Sequence, residues 1–232
     1  MAGVLVVPDL HEPFSRKGSI KFCKKIKRKY KCDTVLLIGD LNDSHGVSFH
    51  AAHPDLPGPA DEFDLAYLGV KRWYKAFPNA KVCLGNHDRR VTRLAESVNI
   101  PSKFLRSYAD VWETPNWDWD FSHVIDNVLY IHGDGAGGGA NPAYNKMRSM
   151  GMSCVMGHFH KHAGVKWLFN QHKRMFGMDV GALIDDSSLA FAYAQGQTLR
   201  SGLGVGVVLD GKEAYWVPMP IGEGEEFHDS NF

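Results

Sequence analysis

Val4-Leu5-Val6-Val7-Pro8-Asp9-Leu10-His11 begins as an unbroken apolar run and turns abruptly into a proline, an acid and a histidine. A run without alternation is what a parallel strand covered on both faces requires. The same change recurs along the chain. Thr34-Val35-Leu36-Leu37-Ile38 gives way to Gly39-Asp40-Leu41-Asn42-Asp43, and Ala80-Lys81-Val82-Cys83-Leu84 to Gly85-Asn86-His87-Asp88. Val124 to Ile131 alternates around Asp126-Asn127, a hairpin-turn pair, and delivers His132-Gly133-Asp134. Ser153-Cys154-Val155-Met156 ends at Gly157-His158-Phe159-His160.

Helical periods fill the gaps between these runs. Ile20, Cys23, Ile26 and Tyr30 recur at three- and four-residue steps and predict a helix over 15–31, with Ser15 as its cap. Residues 60–77 read as a second helix, with acids in the first turn and Phe63, Ala66, Tyr67, Val70, Trp73 and Tyr74 on its apolar face. Shorter helices are expected over 91–98 and 143–150. The order β-α-β-α-β-α predicts a parallel sheet. From Gly164 onward the pattern is strand and turn: 165–169, 174–180, 205–209 and 214–217. The stretch 101–121, aromatic and broken by Pro115, resists assignment.

Composition narrows the class. The 232 residues are 44% hydrophobic and 22% charged, near the globular average. We expect one domain over 1–232, with 222–232 a loosely held acidic tail. Lys plus Arg and Asp plus Glu are 26 each, so there is no strongly basic balance to argue for nucleic acid. Twelve histidines favour metal or proton chemistry. Cys23, Cys32, Cys83 and Cys154 form no C-x-x-C pair and read as buried thiols of a reducing cytoplasm. The first seven residues lack the basic region of a signal peptide, and no run approaches the ~20 apolar residues of a membrane span.

The polar residues fall where a site is built in open α/β sheets, at the carboxyl ends of strands. Asp9, His11, Asp40, Asn86, His132, His158 and His160 offer carboxylate, amide oxygen and imidazole, which suit Mn, Fe, Zn or Ni. Two cations about 3.5–4 Å apart need a shared anionic ligand. Asp40 is the natural bridge, lying between the others in chain order and after a glycine. We assign Asp9, His11, Asp40 and His160 to one metal, and Asp40, Asn86, His132 and His158 to the other. A water shared by two such metals loses a proton at a pKa of about 7 and becomes a nucleophile.

In this order the five blocks resemble those of the calcineurin-like metallophosphoesterase superfamily. They are Asp9-Leu10-His11, Gly39-Asp40-Leu41-Asn42-Asp43, Gly85-Asn86-His87-Asp88, His132-Gly133 and Gly157-His158-Phe159-His160, spanning residues 9–160. The resemblance implies an α/β fold, a four-layer αββα sandwich, and it implies the same metal ligands with Asp40 as bridge. It implies that His87 is the general acid for the leaving oxygen, with Asp43 as the acid that orients it. Arg90, or Arg89, could clamp the phosphate through its planar fork.

Several residues read more plainly. His45, His50 and His53 lie in a Pro-rich loop and are expected at the surface or facing substrate. His123, His162, His172 and His228 are expected to be ordinary, and Trp112, Trp117 and Trp119 to pack in the core. Gly135 to Gly139 is a turn, not a phosphate loop, since no Gly-Lys-Ser/Thr follows. Residues 16–31 carry nine basic side chains and no acid. A solvated helix face is the expected reading, and a surface for a phosphate backbone the sharper one.

Protein phosphatases of this superfamily carry Asp-Arg-Gly after the second block and Glu after Asn-His, where this chain has Asp43-Ser44-His45 and Asp88. The segment Gly39 to Arg90 is instead most similar to small metallophosphoesterases of bacteriophages and prophages. The expected activity is hydrolysis of a phosphodiester or phosphomonoester, of a nucleotide or nucleic acid among others, with two divalent ions, Mn2+ first. The alternatives are a nuclease on polymeric DNA or RNA and a non-catalytic interaction module. The intact ligand set speaks against the module. No membrane partner is expected, and the oligomeric state is left open.

Overall fold

A computed structural model describes residues 2–48, 54–185 and 200–220. His50, His53, His228 and the acidic tail lie outside these described residues.

The strands are β1 (Gly3–Val7), β2 (Thr34–Leu37), β3 (Lys81–Cys83), β4 (Asp118–Asp120), β5 (Ser122–Ile125), β6 (Val128–Ile131), β7 (Ser153–Met156), β8 (Ala163–Phe169), β9 (Arg174–Val180), β10 (Gly204–Leu209) and β11 (Glu213–Pro218). The helices are α1 (Ser19–Lys29), α2 (Pro59–Ala76), α3 (Arg90–Ser97), α4 (Tyr108–Val111) and α5 (Pro142–Met150). They form two sheets flanked by helices. One sheet has the order β11-β10-β1-β2-β3-β4, the other β5-β6-β7-β9-β8. β1 to β4 pair in parallel, as do β6, β7 and β9, while β10, β11, β5 and β8 join antiparallel.

The unbroken apolar runs follow from burial on both faces. In β1, Leu5 and Val7 pack with Phe22, Cys23 and Ile26 of α1 and Val70 and Trp73 of α2. Val4 and Val6 instead meet Val128, Val155 and Met178 of the second sheet. β2 divides likewise, with Val35 and Leu37 toward the helices and Leu36 toward the other sheet. The outer face of the second sheet takes Ala143 and Met147 of α5. Because successive strand residues point to opposite faces, a covered sheet needs an apolar residue at every position.

Some expectations need correction. The first helix starts at Ser19 after Gly18 in a left-handed conformation, and Ser15 donates to Glu12 instead of capping it. The buried side of α2 is rotated from the predicted face. It carries Glu62, Ala66, Gly69, Val70 and Trp73, while Phe63 is exposed and stacks on Trp112. The unassigned stretch 101–121 supplies α4 and β4, an edge strand of the first sheet. Asp126 and Asn127 both have positive φ, as the two central residues of a type I′ hairpin turn do.

Trp112 and Trp117 are buried in the core and Trp119 packs against it. His123 lies against the Val82 carbonyl. The four cysteines are buried and free. The basic run ends beside the amino ends of β1 and β2, where Lys27 donates to the Cys32 carbonyl and Asp33 N–H to that of Gly3. Its lysine-rich half therefore lies at the opposite end of these strands from their carboxyl termini. Among the described residues no helix is long and apolar enough to cross a membrane.

Candidate metal centre

β1, β2 and β3 bring Asp9 and His11, Asp40 and Asp43, and Asn86, His87 and Asp88 to one edge of the first sheet. β6 and β7 bring His132, His158 and His160 to the same edge of the second. The polar cluster therefore lies across the ends of two packed sheets. Close packing needs glycines there: a Cβ on Gly157 would run into Asp9 Oδ1, and one on Gly85 into Asp40 Oδ1. His11, Asp40 and His158 all adopt positive φ, a sparsely populated conformation that clusters at functional sites.

Around Asp9, the Oδ2 atom lies 3.0 Å from His160 Nε2 and accepts the His158 backbone N–H at 2.9 Å. His160 Nε2 is 3.2 Å from His11 Nε2, and His11 Nε2 is 3.7 Å from Asp40 Oδ2. On the other side, His132 Nε2 lies 3.2 Å from Asp40 Oδ2 and 3.0 Å from Asn86 Oδ1. The His158 ring meets that of His132 edge-on, with centroids 5.1 Å apart. Asp9, His11 and His160 offer ligand atoms within 4.8 Å of one another, and so do Asp40, His132 and His158. All seven residues singled out as ligands thus converge.

This donor set fits cations. Asp9 Oδ1 is buried without a hydrogen-bond partner. His132 donates Nδ1–H to the Ile38 carbonyl at 3.1 Å, so Nε2 is the nitrogen that faces the Asp40 and Asn86 oxygens. Metal-ligating histidines are oriented in this way by their second nitrogen. Burial opposes a charge on His132, yet the Asp40 and Asp9 carboxylates outweigh it and push the ring up to about 10. A spot that draws a proton so strongly is one of high negative potential, suited to a metal ion.

The catalytic candidates sit beside the cluster. His87 Nδ1 lies 2.8 Å from the Asp43 carbonyl and 3.1 Å from Asp43 Oδ1. Arg90 donates to the Asp43 carbonyl at 2.8 Å, and its Nη2 faces His87 Nε2 at 3.1 Å. Burial lowers the His87 pKa, but Asp40 and Asp43 prevail and hold it above the usual imidazole range. Arg89 turns the other way, onto Asp134 and the Phe121 ring.

Asp88 has a part that its place in the third block did not disclose. Its carboxylate accepts the backbone N–H groups of Asp40, Leu41 and Gly85 at 2.8–2.9 Å and of Asn42 at 3.3 Å, tying the second block to the third. His45, expected in an open loop, is buried against Glu62 of α2. The only sequence signal was an acid in the first turn of a helix, which a helix dipole explains equally well.

A family model for calcineurin-like phosphoesterases matches residues 3–181. The Gene 54 protein of Mycobacterium phage D29 is 26% identical over 244 positions, covering 94% of this chain and 93% of that protein. A metallophosphoesterase from Sphaerobacter thermophilus is similar in structure, with a TM-score of 0.49, 12% identity and coverage of 97% of this chain and 91% of that one. YfcE, a phosphoesterase from E. coli, has a TM-score of 0.44 at 12% identity, covering 89% and 88%.

Proposed function

The chain belongs to the calcineurin-like phosphoesterase family of metal-dependent phosphoester hydrolases, and from that premise we propose that it works through a pair of divalent cations. Asp9, His11, Asp40 and His160 hold one, and Asp40, Asn86, His132 and His158 the other. The observation that carries this reading is the convergence of Asp9, His11 and His160, and of Asp40, His132 and His158, each trio with ligand atoms within 4.8 Å of one another, beside the unpartnered Asp9 Oδ1. Mn2+ is the first candidate, with Fe, Zn and Ni served by the same donors. When bound, such a pair supplies an oxygen nucleophile at neutral pH and offsets charge on the phosphoryl oxygens.

The protein side chains do the rest. His87, with Nδ1 held by Asp43, is left with Nε2 to protonate the departing oxygen. Asp43 positions that ring. Arg90 faces His87 Nε2, where the phosphoryl group would enter, and its fork can take two of the phosphate oxygens. The substrate is a phosphodiester or phosphomonoester, with nucleotides and nucleic acids among the candidates. The lysine-rich half of α1 lies away from the cluster and lends no support to a nuclease. Four free buried thiols favour the reducing cytoplasm.

The test is a panel of bis-nitrophenyl phosphate, mononucleotides, cyclic nucleotides, single-stranded DNA and phosphopeptides. Turnover with Mn2+ that a chelator stops and Mn2+ restores is the expected result. A protein that binds the metal and hydrolyses none of them would instead be a binding module.

A further inference from the structure

Glu62 stands in the first turn of α2, where an acid usually faces water, yet it is 2% exposed. Its carboxylate accepts the backbone N–H groups of His45 and Gly46, each at 2.9 Å. His45 donates Nε2–H to the Pro57 carbonyl at 3.1 Å, so Nδ1 is the nitrogen that faces the neighbouring carboxylates. That nitrogen is buried, lies 2.9 Å from Glu62 Oε1 and 3.4 Å from Asp43 Oδ2, and makes an aligned hydrogen bond to neither. A nitrogen set between two carboxylates in the interior calls for a positive charge there, a proton or a cation.

We propose that Asp43 Oδ2, His45 Nδ1 and Glu62 Oε1 bind a third divalent transition cation, separate from the pair at Asp40. Ligand atoms about 2.1 Å from a common ion stand about 3.0 Å apart at octahedral angles and about 3.4 Å at tetrahedral ones. The two separations from His45 Nδ1, 2.9 and 3.4 Å, match that range. The surroundings are those of a ligand set. The far nitrogen of the histidine is fixed by a carbonyl and the glutamate by backbone N–H groups. Of the four groupings of possible ligands among the described residues, this is the one whose three members are all buried. Two carboxylates and a neutral imidazole carry a double negative charge, which one such cation balances. The ion would fasten residues 45–47 to α2. It would also occupy Asp43 Oδ2, leaving Oδ1 for His11 and His87.

The full chain is stripped of metal, dialysed against Zn2+, and its bound zinc counted by atomic emission. Three equivalents are expected for the wild type and two for both Glu62→Gln and His45→Gln. Two equivalents in the wild type, with neither substitution changing the count, would overturn the third site and leave the pair intact, a proton then residing on His45 Nδ1. Three equivalents retained in both variants would also overturn it. Fewer than two in the wild type would contradict the paired centre as well. Should the variants fail to fold, zinc-edge anomalous diffraction from wild-type crystals decides. A peak among the three named atoms is expected, and peaks confined to the Asp40 cluster would overturn the proposal.

Discussion

Asp43 Oδ1 lies 2.7 Å from Nδ1 of His11 and 3.1 Å from Nδ1 of His87, so one carboxylate oxygen orients both a metal-ligand candidate and the candidate acid. The two imidazoles meet edge to face with centroids 4.4 Å apart. Fixing both through one oxygen couples the geometry of metal binding to that of proton delivery.

His87→Ala is expected to keep its metal and lose activity according to the leaving group. Alkyl esters, whose oxygen needs a proton, should fall by about 10²–10⁴-fold. Nitrophenyl esters should fall much less. Parallel kinetics on the two classes check this, and an equal loss on both would remove His87 from the role of acid.

Arg90→Ala is expected to weaken phosphate binding. A charged hydrogen bond contributes roughly 1.5–3 kcal/mol, so kcat/KM should drop roughly 10- to 100-fold, carried mainly by KM. Unchanged KM across mono- and diesters would mean that the guanidinium only positions the second-block loop.

Gly157→Ala probes the close approach of β7 to β1. The added Cβ would run into Asp9 Oδ1 and stand 2.6 Å from Ile38 Cγ2. Overpacking of this kind costs typically about 1–3 kcal/mol. Thermal unfolding should register it, and metal content should fall as Asp9 is displaced. Full metal content would show that Asp9 is dispensable to the centre.

Asp179 is 9% exposed, accepts the Ala143 N–H at the start of α5, and is raised by burial from 3.8 to about 6, the backbone hydrogen bond pulling only weakly against this. A carboxyl raised in the fold stabilises while protonated. Its contribution is present below about pH 4 and lost as pH rises through about 6. The linked energy is up to about 3 kcal/mol. Asp179→Asn should therefore gain stability relative to wild type as pH rises from 4 to 7. Denaturant titrations at both pH values measure it, and a pH-independent difference would refute the assignment.

The strands that carry the site were legible because β1, β2 and β7 are covered on both faces, which forces apolar residues at successive positions. The blocks at their ends were legible because chemistry-bearing residues follow each run directly. The division into two sheets was visible only through family resemblance. It turns on Phe121, where the chain passes from β4 to β5, and strand pairing between distant segments leaves no local period. Glu62 was hidden for a related reason. Helical periodicity marks apolar faces, and an acid buried by polar partners looks like a solvated one. His45 was read as part of its loop because the partners that bury it, Glu62 and Pro57, lie twelve or more residues away.

The central claim is that Asp40 bridges two cations, and electron paramagnetic resonance of the Mn2+-loaded protein tests it most directly. The wild type is expected to show an exchange-coupled pair, with turnover rising as that signal grows. Asp40→Asn is expected to lose the coupling together with bound metal and activity. An uncoupled, mononuclear Mn2+ spectrum from fully active wild type, or a coupled pair persisting in Asp40→Asn, would contradict the bridge.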